Sequence, residues 1–218
     1  MADQHNPLID QGNPAIPGWI VALCVTALPL LVMPAVWLAR GDGMLAIIIA
    51  FFAAALLAVI VAVAPLGRRA LPALGFRPVG WRPIVAGTIA TIVLSVAVSQ
   101  IGLDPQGMKQ AVETARDPGL LALSLVALAG LAPLVEELLF RGILYGWLAY
   151  RWGSAVAWIG SSLAFAAAHV ELAHIILVLP LGLWFGWLRR RTDSLWPSLV
   201  AHAINNGFAV AAAALLGI

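Results

Sequence analysis

Residues 44–65, MLAIIIAFFAAALLAVIVAVAP, run twenty-two positions without a charged or strongly polar side chain. About 20 apolar residues in a helix cross the roughly 30 Å of bilayer hydrocarbon, so a run of this length has one natural home. The pattern recurs. Apolar units read at about 17–39, 44–65, 83–102, 119–150, 154–170, 173–189 and 194–217. Only 10% of the 218 residues are charged and 62% are hydrophobic, where a soluble domain is about one quarter charged. In lipid each backbone N–H and C=O needs a partner within its own segment, so the units are expected to be helices. The predicted class is all-α, a polytopic membrane bundle of about seven transmembrane units.

Domain organisation follows. Residues 1–16 read as a polar N-terminal tail without a basic n-region, 17–118 as N-terminal transmembrane helices and loops, and 119–218 as a helical core carrying the polar residues. The first apolar run exceeds a signal-peptide core in length and is read as a retained span. Cys24 stands alone in that run, which excludes an intrachain disulfide. It reads as a small buried hydrophobe. The net charge of +2 gives no sign of a nucleic-acid partner.

Eleven of the twelve basic residues are arginine. Arg68, Arg69, Arg77, Arg82, Arg151, Arg189, Arg190 and Arg191 fall on the same side as the N-terminus if there are seven passes. Arg40, Lys109 and Arg116 fall on the other, diluted by acids. The positive-inside rule then predicts a cytoplasmic N-terminus. The 119–150 unit is long for an upright span, and Gly130 and Pro133 interrupt it. A tilted or kinked helix, or two half-helices, is expected there. Tryptophans near run ends (Trp19, Trp37, Trp81, Trp152, Trp187 and Trp196) read as interfacial anchors. Gly182 and Gly186, with the small residues from Ser161 to Ala168, predict close packing of the fifth and sixth units.

Ionisable groups inside a span are costly and normally face a partner or a water-filled cavity. Glu136, Glu137 and Arg141 share LAPLVEELLFRG; His169 closes FAAAH; His202 and Asn206 lie in HAINN. At 1.5 Å per residue, Glu136 lies about 21 Å and His169 about 24 Å from the turn between their units, and His202 about 17 Å from the arginine cluster. Groups that could fall anywhere land at one level. Glu137 and Arg141 are four apart and can pair. Glu136 lies about 100° round the helix, free for another partner, and a carboxylate in a dry pocket is a stronger general base. His202 and Asn206, also four apart, suit an oxyanion. Phe165 lies one turn before His169 and is expected to wedge its ring. His174 reads as interfacial and Asn205 as a helix–helix contact. Any of these histidines alone would read as a hydrogen-bonded core residue; the set at one level favours chemistry.

The three motifs E-E-x-x-x-R, F-x-x-x-H and H-x-x-x-N, in that order over residues 119–210, resemble those of the CPBP family, the CAAX proteases and bacteriocin-processing (Abi) enzymes. The resemblance implies an intramembrane endopeptidase, with Glu136 and His169 activating water and His202 and Asn206 stabilising the tetrahedral intermediate. Glu137 and Arg141 fill its supporting positions. It also implies a peptide or membrane-anchored protein as substrate, in a bacterial cytoplasmic membrane. Twelve residues follow Asn206, and no further span is expected, unlike in the eukaryotic prenyl-protein proteases. Glu136, His169 and His202 could hold a catalytic zinc with an open fourth position. A metal-free glutamate mechanism is the alternative, and the sequence leaves both open. Two other functions compete: a non-catalytic immunity or scaffold protein on the same framework, and a small proton-coupled transporter, which the absence of inverted repeats disfavours.

Overall fold

A computed structural model describes residues 15–216; the polar tail expected over 1–16 lies, up to residue 14, outside the described residues. Among the described residues the fold is helical throughout. Helix α1 spans Gly18–Ala39 and α2 Met44–Val63, continued by a 3-10 stretch, Ala64–Arg69, into the short α3, Ala70–Leu74. Then come α4 (Trp81–Ser99), α5 (Gln106–Ala115), the long α6 (Leu121–Trp152), α7 (Ser154–Ala167), α8 (Leu172–Thr192) and α9 (Trp196–Leu216). Among the described residues six helical stretches are long and apolar enough to cross a membrane, and α7, at 14 residues, is a shorter apolar helix. The chain is a multi-pass membrane protein.

Contacts at the two ends of the bundle fix the path. At one end Leu195 N–H donates to Gly75 O at 2.7 Å, Ser194 Oγ to Arg77 O at 2.8 Å, and Arg77 pairs with Asp193. Ile16 packs there against Gly146 and Ala73. At the other end Gln106 N–H donates to Glu171 Oε1 at 3.0 Å and Arg116 Nε to Ala213 O at 3.4 Å. Helix α7 therefore carries the chain from one end toward the other, as the seven-unit reading requires. At 1.5 Å per residue it reaches only about 21 Å.

Helix α6 is unbroken from Leu121 to Trp152, and the residues that join its segments keep right-handed helical dihedrals. Two half-helices do not form. The awkward sequence is absorbed by two π-helical segments, Leu125–Leu131 and Leu138–Leu144, flanking the α-helical Ala132–Glu137. Pro133 follows the first π segment, and its missing N–H leaves a carbonyl of that segment without a helical donor. Each π segment shifts bonding to i−5, which frees carbonyls for other partners. Ala132 N–H reaches back to Ala127 O, and Tyr145 N–H to Phe140 O and Gly142 O. Arg141 O, freed in this way, accepts from the buried Arg189 Nε at 3.2 Å.

Packing is tightest where the small residues lie. A Cβ on Gly186 would stand 2.6 Å from Ser162 Oγ, and one on Gly182 2.9 Å from the Phe165 ring. Helices α7 and α8 thus touch backbone to side chain. Trp158 Nε1–H donates to Leu183 O at 2.8 Å across the same seam. A second apolar core, with Ile20, Cys24, Val59, Leu138 and Leu195, joins α1 and α2 to α6. Leu30, Met33 and Val93 point outward, as lipid-facing residues do. The six tryptophans singled out near run ends are likewise all exposed.

Candidate functional site

Glu137 and Arg141 are fully buried on one face of α6 and pair at 3.0 Å. Arg141 Nη2–H also donates to Gly182 O at 2.8 Å, and its guanidinium lies 4.3 Å from the Phe165 ring centroid. The pair therefore ties α6 to α7 and α8. A buried charge without such partners would cost several kcal/mol, of order 3–5.

His202, on α9, stands between the two acids. Its Nδ1 is 3.3 Å from Glu137 Oε1 and its Nε2 3.5 Å from Glu136 Oε2. The ring stacks on Phe185 at 4.7 Å and meets the edge of Phe165 at 5.8 Å. Two acids, one guanidinium and one imidazole thus share a site. Such a cluster is electrically neutral only when His202 and Glu136 hold one extra proton between them, as imidazolium with carboxylate or as imidazole with carboxylic acid. A net charge in low dielectric is what burial penalises most.

Glu136 turns away from the Glu137–Arg141 pair into a cavity of about 440 Å³. Leu28, Pro29 and Val32 of α1 and Phe51, Phe52 and Ala55 of α2 form one wall; Val135, Leu139, Phe140 and Ala168 complete the apolar lining. Glu136 and His169 are its only polar side chains among the described residues. This is an apolar chamber with one acid and one imidazole at its end.

His169 reaches that chamber from a turn rather than from a helix. The sequence places it inside a unit ending at 170, but α7 stops at Ala167. The last turn tightens, His169 N–H bonding Ala166 O and Val170 N–H bonding Ala167 O, each at 3.1 Å. That leaves Phe165 O without its usual i+4 donor. His169 Nδ1 takes the place at 2.9 Å, while the Phe165 ring packs edge-on to the imidazole at 5.0 Å. The wedge expected of Phe165 is present. His174 lies beside His169, ring centroids 4.4 Å apart, in the first turn of α8. The sequence signal that could have found it is H-x-x-x-x-H across a helix end, since a reversal there folds the second ring back on the first.

Asn206, one turn after His202 on α9, is bonded to α6. Its Nδ2 donates to Leu128 O at 3.1 Å, a carbonyl released because Ala132 N–H bonds Ala127 instead. The amide clamps α9 to the first π segment of α6. Neither Asn206 nor His202 lines the chamber. Asn205 is buried on the neighbouring face, in keeping with a packing role.

A zinc ion would draw its donors to about 2.0–2.2 Å from a common centre. Among the described residues no group of three or more His, Cys, Asp or Glu side chains is placed to hold a metal. Glu136 and His202 approach one another, while Phe165 stands edge-on to both imidazoles. The set Glu136, His169 and His202 does not assemble as ligands.

Residues 118–208 match the family model described as type II CAAX prenyl endopeptidase, Rce1-like. A protein of Bacillus subtilis (strain 168) named "Putative membrane peptidase YdiL" is 35% identical over 78 residues, 36% of this chain and 32% of that protein. The match thus spans about one third of that relative's length. No solved structure matches the chain. Through the segment from residue 118 to residue 208, this multi-pass protein is similar to the membrane peptidases related to the type II CAAX prenyl endopeptidases.

Proposed function

We propose that the chain is an intramembrane endopeptidase in which Glu136 and His169 activate water at the end of the apolar chamber. The observation that carries this reading is the approach of Glu136 and His202 to 3.5 Å, beside a chamber that, among the described residues, only Glu136 and His169 make polar. A general base needs a carboxylate that can take up a proton and give it back, and a partner that keeps the cluster neutral meanwhile. Glu137, held by Arg141, orients His202 through Nδ1, as a buried acid orients the imidazole of a hydrolase triad.

Chemistry follows from these positions. Phe165 O can only accept, so His169 Nδ1 carries the proton and its Nε2 keeps a lone pair for one hydrogen of a water. Glu136 takes the other proton as the water oxygen bonds the scissile carbonyl carbon. The carbonyl π pair moves to oxygen, where His202 Nε2–H, with the remaining amide N–H of Asn206, is the donor of the oxyanion hole. Collapse re-forms the carbonyl and breaks the C–N bond, and the Glu136 proton leaves with the amine. Asn206 has a second task, holding through Leu128 the segment of α6 that precedes Glu136.

An apolar chamber favours a substrate with a large apolar group near the scissile bond. The test is hydrolysis by purified protein in proteoliposomes of two peptides, identical in sequence, one farnesylated on a C-terminal CAAX cysteine and one not. Cleavage in H₂¹⁸O should place one label in the new carboxylate. Failure to cleave either peptide, or cleavage without label, overturns the proposal.

The arginine-rich end is read as cytoplasmic, following the side on which Arg77, Arg189 and the residues near Ile16 meet. In intact cells, a cysteine introduced as Gly41→Cys should react with a membrane-impermeant maleimide and one introduced as Arg69→Cys should not. The reverse pattern inverts the topology.

A further inference from the structure

His174 has no part in the mechanism above and belongs to none of the three motifs, yet its ring meets that of His169 at 4.4 Å and 70°. The chain is made to bring them together. Glu171 N–H donates to His169 O at 2.6 Å, closing a three-residue turn around Val170, whose φ is +62°. A β-branched residue rarely adopts that left-handed conformation, and a turn of this kind is strained. Its result is an abrupt reversal that starts α8 at Leu172 and sets His174 over His169. Glu171 is held in turn by Gln106 N–H at the start of α5. The reversal is anchored on both sides.

The His169 ring needs this. Its Nδ1 bonds Phe165 O, and the ring is only half-buried at the chamber. A ring held at one edge can still swing about its axis, carrying Nε2 away from the chamber. Phe165 blocks one side, edge-on at 5.0 Å. His174 blocks another.

We propose that His174 is a positioning residue for His169: with Phe165 it clamps the imidazole so that Nε2 faces the chamber. The inference rests on the hydrolytic reading for its kinetic consequence, but the clamp itself is a property of the ring. Packing is what the role requires, so an aromatic ring of similar reach should replace the imidazole.

The experiment uses the full chain in micelles and in proteoliposomes, as wild type, His174→Ala and His174→Phe. Peptide hydrolysis gives kcat and KM; ¹⁵N-histidine NMR, with His169 signals assigned by His169→Gln, reports ring orientation and tautomer. Misplacement of a reacting group by about 1 Å can cost of order 10²-fold, so His174→Ala should lower kcat by roughly tenfold with KM little changed. His174→Phe should restore kcat to near wild type. By NMR, wild-type His169 should show a single Nδ1–H tautomer, exchange-broadened in His174→Ala and sharp again in His174→Phe. A wild-type kcat and spectrum in His174→Ala overturn the proposal, as does a His174→Phe protein as impaired as His174→Ala. Should the wild type cleave neither peptide, the hydrolytic reading falls, and the His169 spectra alone decide the clamp.

Discussion

Replacing Glu136 by glutamine should lower kcat for peptide hydrolysis by roughly 10²–10⁴-fold while leaving the protein folded. The amide keeps the volume of the acid and can still meet His202, but it takes no proton from water. The effect should lie in kcat, since the chamber walls that would hold an apolar substrate come from α1 and α2 and are untouched. Steady-state kinetics on purified protein, with a thermal melt alongside, make the measurement. A kcat within tenfold of wild type would remove Glu136 from the chemistry. His169→Ala should be similarly impaired, because the water would lose its second acceptor.

Arg141→Met should have the largest effect on stability, about 3–5 kcal/mol. The substitution leaves the Glu137 carboxylate at 0% exposure without its guanidinium. It also removes the tie from α6 to Gly182 O and the cation over Phe165. His202 faces Glu137 too, but lies between two acids and cannot neutralise both. The double variant Glu137→Leu/Arg141→Met should recover most of the loss, since an apolar pair of similar volume is often as stable as a buried ion pair. It should nevertheless be inactive, because His202 Nδ1 would have lost the group that orients it. Unfolding of purified protein in mixed micelles, titrated with a denaturing detergent, reads the stability difference. If Arg141→Met unfolds at the wild-type midpoint, the pair is not the strut described here. The two substitutions thus separate the carboxylates: leaving Glu137 unpaired acts on stability, and neutralising Glu136 acts on rate.

Much of this molecule is legible before any coordinate. A period of apolar runs near 20 residues can only be satisfied as helices in lipid, because the solvent offers backbone groups no partner. The i, i+4 spacing of Glu137 and Arg141 puts both on one face whatever surrounds them, and the structure pairs them. Glu136, one residue earlier, must then look elsewhere. Gly182 and Gly186 predict the close seam with α7 for the same local reason.

Three features were hidden, each for a physical cause. The hydrogen-bond register inside α6 is one: Gly130 and Pro133 announce a disturbance but do not say whether the helix breaks or widens. Packing against α9 and α8 selects the π segments, because Asn206 and Arg189 occupy the carbonyls these release. The end of α7 is another. Nothing in FAAAHVELAH distinguishes a helix running to residue 170 from one stopping at 167, and only the reversal at Val170 brings His174 to His169. The third is the chamber, whose walls on α1 and α2 lie more than eighty residues before Glu136 in the chain.

By itself the sequence determined that the chain is a bundle of membrane helices and which side chains are too polar to face lipid, since both follow from the solvent and from spacing along one helix. Which of those side chains meet across helices, which face an open space and which merely hold a neighbour in place was decided by tertiary structure alone. Distances between helices are set by packing of residues far apart in the chain, and no periodicity records them.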